Sequence, residues 1–301
     1  MERKAGARFH GSIAPLPTPF TENGARVDTA ALRRLVEFQI ANGTHGLSST
    51  GTTGEPTSLS LEERKLVIET VIEASAGRLP VLAGTGSNWT EESVELSRYA
   101  REAGADGVLA VAPYHVKPSQ QGLFEHYTRI ARAVEDLPVM LYNIPGRASV
   151  NIEPLTQRRI REACPNVFGV KEANPDFLQV SWDLKVVGRD WGVFSGIETL
   201  CFPMLAVGGA GYVSATSNVA PREVAELYEL TQAGRWKDAQ DLHFEMLELN
   251  HALFLETNPG PLKFLLGRMG LIEPTLRLPL VLPSEANQDK IVRVAREYGI
   301  L

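Results

Sequence analysis

The sequence predicts an α/β fold, a (β/α)8 TIM barrel followed by a small helical extension. Short apolar, β-rich runs alternate with longer stretches of helical period, and eight such runs precede residue 220. Most runs are almost continuously hydrophobic, as in LPVLAG and LPVMLYN, which is typical of parallel strands covered on both faces. The length of 301 residues suits one barrel of roughly 250 residues plus an extension.

The eight predicted strands recur along the chain with room for a helix after most of them. They are Ser12–Thr18, His45–Thr50, Pro80–Gly84, Gly107–Ala112, Pro138–Asn143, Val167–Glu172, Trp191–Ser195 and Gly211–Ala215. A doubly wound open sheet is the rival fold. It normally has fewer strands, and no glycine-rich dinucleotide turn follows the first run.

Four segments between these strands carry clear signals for helices. They are Asp28–Ala41, Ser60–Ala76, Thr90–Ala103 and Ser119–Val134. Ser60 and Glu63 have the spacing of a capping box, which marks the start of a helix. The catalytic barrel is therefore predicted over residues 1–225. Residues 226–301 are expected to hold the last barrel helix region and a helical C-terminal subdomain.

Composition and charge narrow the class of partner. The net charge is -6 with no basic stripe, which argues against nucleic acid. No apolar run reaches the roughly 18 residues of a membrane span, and Met1–His10 lacks the apolar core of a signal peptide. Cys164 and Cys201 match no metal spacing, so free thiols in a reducing, cytoplasmic compartment are expected.

Reactive side chains follow several of the predicted strands. The chemistry of such barrels lies where the strands end, at the C-terminal face. The residues placed there are Thr50, Thr52, Thr53, Glu55, Tyr114, His115, Tyr142, Asn143, Arg147, Lys171, Glu172 and Ser195. We expect them to gather around one site.

Lys171 ends the apolar strand in VFGVKEAN. Desolvation lowers the pKa of a buried lysine and makes its amine a nucleophile toward a carbonyl. The strand context alone leaves a second interpretation equally open, a barrel lysine in a salt bridge with Glu172. Lys263, in NPGPLKF, is the competing lysine. Its position at a helix start in the extension predicts a solvated side chain.

Three neighbouring features fit the chemistry of a 2-oxo acid. The phenol of Tyr142 can relay protons, although a core tyrosine is the commoner fate of such a residue. Arg147 can clamp a carboxylate, although a surface arginine fits equally well. The hydroxyls and glycines of Gly51–Glu55 suit a small carboxylate, a weak pattern by itself.

Other catalytic classes lack their signatures. The six histidines form no HExxH motif and the carboxylates offer no metal pattern, so no metal ligand is predicted. A metal-dependent aldolase therefore has no visible ligand set. No Gly-x-Ser-x-Gly elbow and no P-loop lysine occur, which argues against a serine hydrolase and a nucleotide hydrolase.

Six motifs in order resemble the dihydrodipicolinate synthase and N-acetylneuraminate lyase family, over most of the chain. They are SSTGTTGEPTSL (48–59), VLAGTGSN (81–88), PYHVKPSQQGLFEHY (113–127), LYNIPGR (141–147), GVKEAN (169–174) and NPGPLK (258–263). The resemblance implies a barrel with a helical extension, assembled as a homotetramer or homodimer. The arginine in LYNIPGR is more similar to the synthases than to the lyases.

The resemblance also implies roles by position. Lys171 is the Schiff-base lysine, so no separate cofactor is expected. Tyr142 and Thr52 belong to the proton relay, and His115 stands at the position of its third member. Substrate binding falls to Thr53, Arg147, Gly196 and Ser214, with Arg147 gripping the distal carboxylate of the second substrate. The implied substrates are pyruvate and an aldehyde, aspartate semialdehyde in the synthases of lysine biosynthesis.

Three departures from the family pattern bear on this function. His115 stands where the synthases carry a second tyrosine that reaches into the neighbouring subunit's site. Histidine can carry a proton too, since its ordinary pKa is about 6.5. The loop Ser195–Thr199 replaces a more acidic stretch facing the second substrate. Pro56, Leu61 and Arg64 stand in the lysine-binding pocket of some relatives, although Asn88, Glu92 and Tyr114 remain. Weak or absent inhibition by lysine is predicted.

Two alternatives to the synthase stay open from the sequence. One is a catabolic aldolase or dehydratase acting on a 2-keto-3-deoxy sugar acid or on 4-hydroxy-2-oxoglutarate. The departures at His115 and Ser195–Thr199 keep it in view. The other is a non-catalytic sensor of a metabolite, against which the intact relay argues.

Overall fold

Eight parallel strands of the computed structural model pair in chain order and close into a barrel. They are β1 (Gly11–Pro15), β2 (Gly46–Ser49), β3 (Val81–Gly84), β4 (Gly107–Val111), β5 (Val139–Asn143), β6 (Val167–Glu172), β7 (Gly192–Ser195) and β8 (Gly211–Val213). The structure describes residues 6–301, so the first half of the polar stretch Met1–His10 lies outside the described residues.

Closure of the barrel joins its first strand to both neighbours. Ile13 of β1 aligns with Gly46 of β2 on one side and with Val213 of β8 on the other. The predicted barrel is confirmed. The last strand is shorter than predicted, because Ala215–Asn218 turns into a 3-10 helix instead of extending the ladder.

Helices follow the strands and cover the outside of the barrel. They are α1 (Thr29–Ala41), α2 (Leu61–Ser75), α3 (Thr90–Glu102), α4 (Gln120–Ala133), α5 (Pro154–Ala163), α6 (Phe177–Val186), α7 (Cys201–Ala206) and α8 (Pro221–Gln232). Ser60 and Glu63 form both hydrogen bonds of the predicted capping box at the start of α2. Asp28 and Ser119 cap α1 and α4 through their side chains. No helix among residues 6–301 is long and apolar enough to cross a membrane.

Four more helices follow, α9 (Trp236–Glu245), α10 (Leu247–Ala252), α11 (Gly260–Arg268) and α12 (Glu285–Glu297). One hydrophobic cluster unites them with the first barrel helices, since Leu32 and Leu35 of α1 share it with Leu262 of α11 and Ile291 of α12. Helix α8 runs through residue 225, where the sequence analysis divides the chain. The division into two parts stays a prediction.

The inside of the barrel is filled by one apolar layer and the outside by another. Ile13, Leu82, Leu109, Met140 and Phe194 form the inner cluster, to which Tyr142 also belongs. Each of these five side chains is at least 98 % buried, so the barrel is a packed core rather than a pore. Polar chemistry is thereby confined to the ends of the strands.

Candidate active site

Tyr142 and Lys171 lie side by side at the C-terminal ends of β5 and β6. They are partners in the strand register, and alternation along the strands turns both side chains to the inside of the barrel. The Lys171 side chain is almost completely buried, with its Nζ 4.2 Å from the centroid of the Tyr142 ring. The parallel ladder thus holds an amine against a phenol ring.

The amine of Lys171 is not committed to another group. Within the described residues it has neither an ion pair nor a hydrogen bond. Glu172, the next residue, lies on the opposite face of the strand and accepts hydrogen bonds from Asn143 and Gln179. The alternative of a Lys171–Glu172 salt bridge is therefore wrong, because strand alternation separates the two side chains.

Gly196, after β7, gives Lys171 the space that it needs. A β-carbon added at Gly196 would lie 2.9 Å from Cε of Lys171 and 2.9 Å from Cβ of Ala173. Real β-carbon contacts are longer, so any larger residue would displace the lysine. Gly196 is brought to the lysine, as expected, and acts there through its lack of a side chain.

The loop after β2 presents two threonines in different directions. Oγ1 of Thr52 lies 3.3 Å from the hydroxyl of Tyr142. Oγ1 of Thr53 accepts a hydrogen bond of 3.0 Å from Nδ2 of Asn258, a residue of the extension. Thr50 and Glu55 flank them with φ angles of +48° and +53°. Residues with side chains rarely adopt this left-handed conformation, which indicates a loop held in place by its surroundings.

Arg147 stands between two cavities at the rim. It lies in the short helix Pro145–Ala148, and its Nη2 donates to the carbonyl of Asn258 over 3.3 Å. A cavity of about 310 Å³ is lined by Thr52, Tyr142, Arg147 and Tyr114. A second, of about 960 Å³, is lined by Arg147, Gly196, Glu198 and side chains of α10 and α12.

Ser214 and Glu198 form a buried pair beside this site. The Ser214 hydroxyl donates to Glu198 Oε2 over 2.5 Å, and the amide of Ala215 donates to Oε1 over 2.7 Å. Burial raises the pKa of Glu198, an effect that these hydrogen bonds and the charge of Lys171 oppose. The hydroxyl of Ser214 is therefore committed to Glu198.

His115 lines neither of the two cavities at the rim. It is exposed, at the tip of the loop after β4, with a φ of +72°. Its neighbour Tyr114 lines the smaller cavity instead. The role of His115 in the relay stays a prediction.

Comparison with known proteins agrees with this arrangement. The family model of the dihydrodipicolinate synthetase family matches residues 8–298. The chain belongs to this family. It is 48% identical to the 4-hydroxy-tetrahydrodipicolinate synthase of Thermus thermophilus over 97% of both sequences.

Solved structures of the family superpose closely. Dihydrodipicolinate synthase from Aquifex aeolicus has a TM-score of 0.94 at 41% identity, over 97% of this chain and 99% of that chain. The enzyme from Acinetobacter baumannii complexed with pyruvate has a TM-score of 0.93 at 37% identity, over the same fractions. The predicted family resemblance is confirmed.

The prediction of a solvated Lys263 is wrong. Lys263 is fully buried, forms an ion pair with Glu55 and donates to the carbonyl of Thr275 over 2.8 Å. Burial lowers the pKa of Lys263 to about 8, and the charge of Glu55 opposes this. Glu55 comes from the threonine loop, 208 positions earlier in the sequence, so no local pattern signals the pair.

Arg64 stands at one of the positions where the family resemblance predicts a poorly matched lysine pocket. Its guanidinium is buried, pairs with Glu92 over 2.9 Å and donates to the carbonyls of Gly84 and Gly86. Arg64 therefore already forms an ion pair with Glu92, one of the residues that remain from the predicted lysine pocket.

Asn258 is the functional position that the residue-by-residue reasoning missed. It bridges Thr53 and Arg147 and lines the smaller cavity. Its only signal in the sequence is its place in the NPGPLK motif, which carries the family resemblance. Within residues 6–301, no group of three or more histidine, cysteine or carboxylate side chains is arranged to hold a metal ion.

Proposed function

We propose that this protein is a 4-hydroxy-tetrahydrodipicolinate synthase that condenses pyruvate with aspartate semialdehyde through an imine on Lys171. One observation carries the proposal. The uncommitted amine of Lys171 lies beside the Tyr142 ring, in a member of the dihydrodipicolinate synthetase family. The names of the relatives, 4-hydroxy-tetrahydrodipicolinate synthases, support the product, and the family resemblance supplies the second substrate.

The chemistry begins with attack of the neutral Lys171 amine on the carbonyl carbon of pyruvate. Loss of water from the carbinolamine gives a protonated imine, and loss of a proton from the methyl carbon gives an enamine. The enamine carbon then forms the new bond to the aldehyde carbon. The imine itself withdraws the electrons, so the proposal requires no separate cofactor.

The hydroxyls of Tyr142 and Thr52 are placed to move protons during these steps. Their 3.3 Å separation allows a hydrogen bond to tighten once substrate is bound. His115 would extend this relay from a neighbouring subunit. A dimer or a tetramer of dimers is accordingly part of the proposal, and dilution to monomers should abolish activity.

Substrate carboxylates would be held by the two ends of the site. Thr52 and Thr53 would bind the carboxylate of pyruvate, and the guanidinium of Arg147 would bind that of the aldehyde. Arg147 lines both cavities, which suits a group that would bind the aldehyde beside the pyruvate imine. Gly196 would leave room for the imine. Ser214 would act through Glu198, to which its hydroxyl is bound.

One feature of the larger cavity favours a second function, the cleavage of another 2-oxo acid. Ile197 lines the larger cavity where an acidic residue is typical of the synthases, which makes that wall more apolar. Rescue of a lysine-requiring bacterial mutant by this gene supports the synthase. Failure to rescue, together with cleavage of a 2-keto-3-deoxy sugar acid, supports the aldolase.

The imine itself is tested by trapping. Incubation with pyruvate and borohydride should add the mass of a reduced pyruvate to the peptide containing Lys171. The Lys171→Ala variant should gain no such mass. An unlabelled wild type, or equal labelling of the variant, contradicts the proposal.

Lysine should inhibit weakly or not at all, because Arg64 already neutralises Glu92. Initial rates measured over a lysine series should stay flat into the millimolar range. The Arg64→His variant, which removes the permanent cation, is the informative partner in the same assay. A micromolar inhibition constant for the wild type contradicts the prediction.

A further inference from the structure

Two buried carboxyl groups lie directly behind the proposed catalytic strands. Glu172 of β6 and Asp183 of α6 are at least 99 % buried, in the layer between the barrel and its helices. Their carboxyl groups are within hydrogen-bonding distance of each other. Two adjacent carboxylates without a cation are strongly unfavourable in such a place, so one of them must hold a proton.

The hydrogen bonds identify Glu172 as the ionised member. Its two oxygens accept from Nδ2 of Asn143 at 2.9 and 3.0 Å, from the amide of Asn174 at 2.8 Å and from Nε2 of Gln179 at 3.0 Å. Because three N–H donors point at the two oxygens of Glu172, neither oxygen is a favourable place for a proton. Donors of this kind stabilise a charged carboxylate.

Fewer hydrogen-bond donors reach the carboxyl group of Asp183. Its Oδ1 accepts one hydrogen bond of 2.9 Å from Nε2 of Gln157. Its Oδ2 is buried, and no N–H or O–H donor of the described residues reaches it. An oxygen that faces only another carboxylate is the natural place for a proton. Burial raises the pKa of both groups, that of Glu172 to about 7 and, together with the charge of Glu172, that of Asp183 to about 9. Asp183 is therefore the member that holds its proton more strongly.

We propose that Asp183 carries a proton and donates it in a hydrogen bond to ionised Glu172, and that this pair positions Tyr142 and Lys171. Asp183 and Glu172 are positioning residues in this proposal. They act from behind the strands and touch no substrate. The proposal about Asp183 rests on the proposed function only in the kinetic test, which measures turnover.

The carboxyl pair is connected to the site through neighbouring residues on two strands. Tyr142 pairs with Lys171 in the register, and the next pair along is Asn143 with Glu172. The Asn143–Glu172 hydrogen bonds therefore join the two strands one residue beyond the proposed catalytic pair. Asn151 and Gln179 extend the network, since Nδ2 of Asn151 donates to Oε1 of Gln179 over 2.7 Å.

The groups facing the carboxyl pair from each packed element are neutral. They are Asn143 of β5, Asn151 and Asn174 of the loops, Gln157 of α5 and Gln179 of α6. Nε1 of Trp191 donates to Gln157 from the far side. Arg161, which lies over the Trp191 ring, is paired with Asp190. Within the described residues, neither carboxyl forms a salt bridge that would replace the proton.

The test is the Asp183→Asn variant, with Asp183→Ala as its matched partner. Asparagine keeps the acceptor for Gln157 and supplies a permanent N–H donor to Glu172. We expect kcat and KM within about threefold of the wild type for Asp183→Asn. For Asp183→Ala we expect kcat to fall about tenfold, with a smaller change in KM for pyruvate. Equal losses in both variants overturn the proposal.

The dependence of the melting temperature on pH reports whether Asp183 is protonated in the folded protein. Unfolded aspartic acid is ionised above about pH 4, whereas the folded protein keeps the Asp183 proton, so each rise in pH favours unfolding. Between pH 6 and 8 the wild type should lose roughly 2–4 °C more per pH unit than Asp183→Asn. Parallel curves for the two proteins overturn the proposal. The melting measurement needs no turnover. Absence of the Lys171 imine would therefore refute the proposed function and leave the proposal about Asp183 standing.

Discussion

Two buried lysines of this protein have similar surroundings and different partners. Nζ of Lys171 and Nζ of Lys263 each lie 4.2 Å from the centroid of an aromatic ring, Tyr142 in one case and Phe20 in the other. Lys263 is also bound to the carboxylate of Glu55 and the carbonyl of Thr275. Lys171 has no such partner among the described residues and lies at the rim of the barrel.

The difference shows that burial alone does not make an amine reactive. A lysine held by a carboxylate and a carbonyl is fixed in position, so it serves to join two parts of the chain. A lysine without a carboxylate or carbonyl partner leaves its amine available to attack a carbonyl carbon. The set of partners, rather than the exposed fraction, therefore separates a candidate nucleophile from a structural cation.

Replacing each lysine by methionine should produce opposite losses. Lys171→Met should lower kcat by at least about a thousandfold, since the nucleophile is gone, while its melting temperature stays close to that of the wild type. Lys263→Met should still form the borohydride-trapped pyruvate adduct. Steady-state kinetics, mass spectrometry and thermal melting of both variants provide the comparison. An adduct that disappears from both, with both proteins folded, would show that the two lysines are not functionally distinct.

The barrel was predictable because its signals are local. Apolar runs such as LPVMLYN and the capping box of Ser60 and Glu63 need only neighbouring residues, and both structures form where predicted. Closure then brings the strand ends together, so Tyr142 and Lys171 could be placed at one rim. Their roles came from the family motifs, not from the pattern alone.

What the sequence did not predict depends on distant pairs. Lys263 was expected in solvent because its carboxylate partner, Glu55, belongs to a loop far away along the chain. The bridge that Asn258 forms between Thr53 and Arg147 likewise joins residues that are far apart in the sequence.

Stability should reveal what Lys263 does. Lys263→Met leaves Glu55 buried without its cation, which should cost roughly 3–5 kcal/mol in the free energy of unfolding. The double variant Lys263→Met with Glu55→Gln removes both charges and should recover a large part of that loss. Urea unfolding of the wild type, both single variants and the double variant gives the coupling energy. Additive losses would mean that the pair is not a stabilising unit, and the contrast with Lys171 would weaken.

The two adjacent threonines repeat the contrast of the lysines on a smaller scale. Thr52 faces the phenol of Tyr142, whereas Thr53 accepts a hydrogen bond from Asn258 of the extension. Thr52→Val should lower kcat roughly tenfold, the value of one hydrogen bond of about 1–1.5 kcal/mol, and leave the melting temperature nearly unchanged. Thr53→Val leaves Nδ2 of Asn258 unpaired, so it should cost roughly 1–3 kcal/mol of stability and raise KM for pyruvate more than it lowers kcat. Both variants keep the size of the side chain, which makes each the control for the other. If Thr53→Val lowers kcat as much as Thr52→Val at unchanged stability, the division between a reactive and a structural partner does not extend to this loop.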